Sequence, residues 1–196
     1  IPIALFFMIK GSVYFFFFLI IFFLITSYEW LKMTKNKIHS FLGIIFLLLT
    51  SYAAYLLRGS TLIDLKILLF VLLVCVTTDI GGYIFGKIFK GPKLTRISPN
   101  KTYSGMIGGY FLSIVCSYIY VSKYDVFVPT DTGLLITVFL ISSVSQFGDL
   151  LISYFKRLSK VKNTGKILPG HGGLLDRIDG IIFAIPSFMI VSRIFF

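Results

Sequence analysis

Thr130 to Lys160 reads TDTGLLITVFLISSVSQFGDLLISYFKRLSK, and the fold class follows from it. Thr132 to Gly148 carry no charge, a run that approaches the roughly 20 apolar residues an α-helix needs to cross a bilayer's hydrocarbon core. Asp149 then interrupts a stretch that stays apolar until Lys156. Ser145, Asp149 and Ser153 recur every four residues, which puts a polar stripe on an otherwise apolar helix. An ionisable group at such depth costs on the order of 3 kcal/mol on insertion scales, so its default reading is functional.

The same pattern recurs on both sides. Uncharged runs cover Gly11 to Tyr28, Ser40 to Leu57 and Thr102 to Ser122. Ile67 to Gly86 is broken only by Asp79, and Ile178 to Phe196 has Asp179 at its edge and Arg193 near its end. With 57% hydrophobic residues and 22 Phe in 196, the chain belongs to the membrane class. The expectation is an all-α, polytopic integral membrane bundle of about six transmembrane helices, a single membrane domain over residues 1–196 with its motif-bearing core at 79–179. Ile1 to Ile9 is too short to cross, and the absence of an initial Met suggests an N-terminally truncated chain. A signal peptide is disfavoured because Lys10 follows the apolar stretch and no small-residue cleavage site comes after it. Cys75 and Cys116 lack metal-ligand spacing and read as small core residues.

The net charge of +11 is arranged by loop, which argues for topology and against nucleic acid. Lys32, Lys35 and Lys37 follow span one; Lys87, Lys90, Lys93, Arg96 and Lys101 follow span three; Lys156, Arg157, Lys160, Lys162, Lys166 and Arg177 follow span five. The positive-inside tendency makes that side cytoplasmic and leaves Lys10, Arg58, Lys66, Lys123 and Arg193 toward the other. Asp79, Asp149, Asp176 and Asp179 then share the cytoplasmic half, as does Glu29, while Asp64, Asp125 and Asp131 read as solvated charges. Hard divalent cations such as Mg2+ take oxygen ligands of this kind, usually one or two carboxylates completed by water and phosphate. Asp176 and Asp179 would share a helix face if the last helix has begun there, and the Gly172-Gly173 amides before them are suited to an anion. The plainer alternatives are an interhelical hydrogen bond for Asp79, a helix cap or an Arg177 pair for Asp176 and Asp179, and lipid-headgroup contacts for the lysines.

Gly81, Gly82 and Gly86 close span three, serving either helix packing or close ligand approach. Ser98-Pro99-Asn100-Lys101-Thr102 follows, with a helix-stopping Pro, hydroxyls and a lysine able to meet phosphate.

These residues resemble the phosphatidate cytidylyltransferase family, also called CDP-diglyceride synthetases. Ser153, Lys156, Arg157, Lys162, Pro169, His171, Gly172, Gly173, Asp176, Arg177 and Asp179 match its C-terminal signature in type and spacing. Asp79 and Ser98 to Thr102 are similar to its earlier region, and Asn163 departs where the family usually carries Asp. The resemblance implies transfer of a cytidylyl group from CTP to phosphatidic acid in phospholipid biosynthesis, with Mg2+ or a similar cation. It implies catalytic roles for Asp149, Asp176, Asp179 and His171, with metal on Asp149, Asp176, Asp179 and Asp79. Substrate contacts would come from Ser98, Lys101, Lys156, Arg157, Lys166, Gly172, Gly173 and Arg177. The expected setting is a bacterial plasma (inner) membrane, with membrane lipids and a second copy of the chain as further partners. A CTP-dependent polyprenol or phytol kinase is the alternative enzyme, and a small anion or metal transporter the alternative without chemistry.

Overall fold

The computed structural model describes residues 2–34, 36–95, 97–124, 126, 130–165, 167 and 172–195. The described residues form seven α-helices: α1 (Pro2–Lys10), α2 (Ser12–Met33), α3 (Lys37–Arg58), α4 (Leu62–Phe89), α5 (Tyr103–Tyr124), α6 (Asp131–Leu158) and α7 (Ile181–Phe195). A 3-10 turn, Leu175–Arg177, precedes α7, and no strand occurs among the described residues. Five helices, α2 to α6, are long and apolar enough to cross a membrane, and large apolar side chains such as Phe17, Ile21, Leu48, Phe111 and Phe139 cover their outer faces. Such a surface is stable against lipid, and the protein is an integral membrane helical bundle.

The sixth expected span differs. At 15 residues, α7 rises about 22 Å, less than the roughly 30 Å hydrocarbon core. It starts at Ile181, later than Ile178, because the chain before it folds into the 3-10 turn and packs back against α6. Gly180 allows this approach: a Cβ there would lie 2.3 Å from the Ser145 hydroxyl and 3.0 Å from the Ser145 carbonyl. Pro186 sits inside α7 and deprives the Ile182 carbonyl of its helical donor. The Thr50 hydroxyl of α3 donates to that carbonyl at 2.9 Å, repairing the helix from its neighbour.

Glycines bring α4 against α5. A Cβ on Gly81 would stand 2.5 Å from the Gly108 carbonyl oxygen, and one on Gly105 would stand 2.6 Å from the Gly82 carbonyl oxygen. Helix packing is therefore what these glycines serve, because their open sides face backbone. Gly81→Ala is expected to destabilise the bundle by about 1–3 kcal/mol, since rigid backbone must move to admit the methyl. A thermal melt in detergent at unchanged pH checks this.

At the end of the bundle remote from the basic loops, the buried Arg58 donates to the Met8 carbonyl at 2.7 Å and ties α1 to α3. Lys66 donates to the Tyr124 carbonyl, and the Tyr120 hydroxyl donates to the Lys66 carbonyl. Asp64 and the Thr61 side chain cap α4 reciprocally, so this aspartate is a helix cap where its sequence read as a plain solvated charge.

Candidate active site

The loops after α2, α4 and α6 meet at the other end. Between α4 and α5 a short hairpin forms as the Leu94 amide donates to the Lys101 carbonyl and Lys93 pairs with Thr102. That turn delivers the Lys101 ammonium onto the carboxylate of Asp149 in α6. One turn further along α6, the Ser153 hydroxyl donates to the other Asp149 oxygen at 3.4 Å. Two turns along, Lys156 donates to Asp176 at 2.9 Å, with both side chains largely buried.

Asp176 and Asp179 would share a helix face only if the last helix had begun there; it begins at Ile181, and the 3-10 turn before it sends them apart. Asp176 accepts from Lys156 on one oxygen and from the Thr164 and Gly173 amides on the other, at 2.8 and 3.0 Å. The Gly173 amide is thus occupied by a carboxylate of the chain itself. Asp179 instead accepts from the Gly180 amide at 3.1 Å, and its carboxyl stands near enough to Asp149 of α6 that the two act on each other electrostatically. Asp79, exposed on α4, is near enough to act electrostatically on both.

Electrostatics separate the two aspartates of the loop. Burial pushes Asp176 up, but the Gly173 amide, Lys156 and the Thr164 amide outweigh it and hold the carboxyl below its ordinary value. Burial, and then the charge of Asp149 beside it, push Asp179 up to about 8. The folded protein accordingly keeps a proton that the unfolded chain releases near 3.8, and stability falls as pH rises between those two values. The melting temperature of metal-free protein should decline from about pH 5 to 8, a window that Asp176 does not enter because its shift is downward. A rising melting temperature across that range would contradict the pairing with Asp149.

Oxygen donors in adjoining acidic side chains suit a hard cation, since a positive charge between Asp149 and Asp179 relieves the repulsion that otherwise demands a proton. Among the described residues no group of three or more His, Cys, Asp or Glu is arranged around one metal position. Two adjoining carboxylates are oxygen donors of the type Mg2+ takes, and such an ion would need water or phosphate oxygens to complete its shell.

Arg157 lies exposed beside the hairpin and donates to the Ile97 carbonyl at 3.4 Å. With Ile97, Pro99, Tyr154 and Leu158 it lines an open cavity of about 430 Å³. Ser98 caps the hairpin, its carbonyl accepting from the Lys101 amide. Arg177 is exposed on the 3-10 turn, and Gly172 holds a φ of 89°, a conformation glycine adopts without strain. Lys166 and His171 lie outside the described residues.

A cytidylyltransferase family model matches residues 46–195. The chain belongs to the cytidylyltransferase family. It is 40% identical over 141 residues to the phosphatidate cytidylyltransferase of Brucella suis biovar 1 (strain 1330), covering 71% of this chain and 52% of that protein. It is 44% identical over 123 residues to the phosphatidate cytidylyltransferase of Staphylococcus saprophyticus, covering 62% and 47%. The chain spans about half the length of the curated relatives it matches.

Two partnerships of this candidate site had no visible signal in the sequence. Lys101 was legible as a phosphate-binding cation, but its seat on Asp149 depends on the hairpin. Glu29 was placed at the right depth, yet nothing near it announced that its carboxylate would reach the loop after α6.

Proposed function

We propose that the chain transfers a cytidylyl group from CTP to phosphatidic acid, giving CDP-diacylglycerol and pyrophosphate. The observation that carries the reading is the Asp149–Asp179 pair, flanked by Lys101 and Lys156 on the face where the basic loops gather. Family membership and the names of the relatives supply the class of reaction.

Asp149 and Asp179 would hold Mg2+. When bound, the ion would neutralise triphosphate oxygens and draw charge from the α-phosphorus. An oxygen of the lipid phosphate attacks that phosphorus; its bond to the bridging oxygen breaks, and pyrophosphate leaves with the electron pair. Both reactants are anionic, so neutralisation and alignment carry most of the catalysis. Lys101 pairs with Asp149, Lys156 acts electrostatically on both members of the acidic pair, and Arg157 offers a planar fork to a phosphate. The lipid phosphate is ionised near pH 7 and needs no general base. His171 and Lys166 are assigned to phosphate orientation and binding by motif alone. Asp176, engaged on both oxygens, serves by fixing Lys156 and the loop.

The cavity beside Arg157 supports an amphiphilic substrate, because one guanidinium stands against apolar walls. Basic loops on one side favour a cytoplasmic site in a bacterial inner membrane. The test uses purified protein, Mg2+, phosphatidic acid and CTP labelled at either the α- or the γ-phosphate. Lipid-extractable label from the α-position alone is expected. Label from the γ-position would point to a lipid kinase, and no lipid label from either would overturn the reading.

A further inference from the structure

Glu29 is 1% exposed, near the inner end of α2 and ahead of the segment that the family model matches. Burying a carboxylate is costly unless its oxygens are satisfied, and here each is. The Leu174 amide donates to Oε1 at 2.9 Å; the Leu175 amide donates to Oε2 at 2.9 Å and the Thr164 hydroxyl to the same oxygen at 3.1 Å. The two amides stand at the head of the 3-10 turn Leu175–Arg177, where backbone donors lack partners within the turn. Thr164 also gives its own amide to Asp176, so a single residue joins the two carboxylates.

The glycines of this loop confirm how closely it is built around Glu29. A Cβ on Gly165 would lie 2.5 Å from Oε1 of Glu29, and one on Gly173 would lie 2.6 Å from Oε2. Both loop strands pass against the carboxylate at distances that only glycine permits. Downstream of the amides it holds come Asp176, which pairs with Lys156, and Asp179, which adjoins Asp149.

We infer that Glu29 is a positioning residue of this site: from α2 it anchors the loop after α6 and sets the register of Asp176 and Asp179 against α6. The catalytic part of this inference rests on the reaction proposed above, whereas the anchoring does not. Glu29→Gln keeps the shape but presents an NH2 group to a backbone N–H or a hydroxyl, losing at least one bond. Deuterium uptake by the peptide spanning 172–180 should quicken about 10-fold, with uptake in α4 and α5 unchanged. Turnover should fall about 10-fold or more, kcat and kcat/KM together, because geometry in the transition state is what is lost. Thr164→Val, which removes a single hydroxyl, should fall by a smaller factor and provides the test if Glu29→Gln does not insert. Combining Glu29→Gln with Asp176→Asn should cost no more than the worse single change, since both loosen one turn.

Unchanged uptake over 172–180 in both variants would overturn the inference, as would multiplicative losses in the double variant or unchanged kcat in both single variants. If the parent protein moves no cytidylyl label, the reaction reading fails, and the uptake comparison still decides whether Glu29 holds the turn.

Discussion

Asp149→Asn is expected to lower cytidylyl transfer by about 100-fold or more, the scale associated with removing one electrostatic stabiliser from a preorganised site. Asp149 receives Lys101, takes the Ser153 hydroxyl and adjoins Asp179, so its charge holds the hairpin and would serve the proposed cation site. Stability should change little, because losing the attraction to Lys101 is offset by removing the charge that obliges Asp179 to hold a proton. A surviving metal site would be weaker, so the Mg2+ concentration for half-maximal activity should also rise. Transfer of α-label from CTP to lipid, measured across a Mg2+ series beside a thermal melt, checks both statements. Wild-type turnover at low Mg2+ would remove Asp149 from the metal site.

Lys156→Met should cost both stability and activity. The Lys156–Asp176 pair is 2.9 Å long, and its side chains are only 13% and 10% exposed. Removing one partner of a buried pair leaves an uncompensated charge, typically 3–5 kcal/mol, and the two amides on Asp176 place this case near the lower end, about 3 kcal/mol. Adding Asp176→Asn removes the stranded charge and should restore most of the melting temperature. Activity should not return, because the cation beside Asp149 and Asp179 is still missing. A single variant as stable as the parent would show that the pair contributes nothing to holding the loop.

Much of the bundle was legible in the chain because the bilayer imposes a length and a composition on anything that crosses it. The uncharged run from Thr132 to Gly148 announces α6, and Asp79 and Asp149 stand out because they break such runs. The sixth span was harder to read. Apolar residues continue through Ile178, yet α7 begins at Ile181, since Gly180 lets the preceding turn pack on Ser145. Nor does spacing show that Pro186 is tolerated: the hydroxyl that replaces its missing donor comes from Thr50 of α3.

By itself the sequence determined the class of fold, the grouping of basic residues in alternate loops and the residue types of the candidate site. All of these depend on composition and local spacing. Only the tertiary structure decided which carboxylates meet. Asp176 and Asp179 are three residues apart, a spacing that on a helix would put them on one face, whereas the 3-10 turn aims one at Lys156 and the other at Asp149. Glu29 reaches Leu174 and Leu175 across 145 and 146 residues of chain, and no local pattern encodes a bond between groups so distant in sequence. A buried carboxylate must find donors wherever the fold supplies them, and here the fold supplies them from the loop that carries the site.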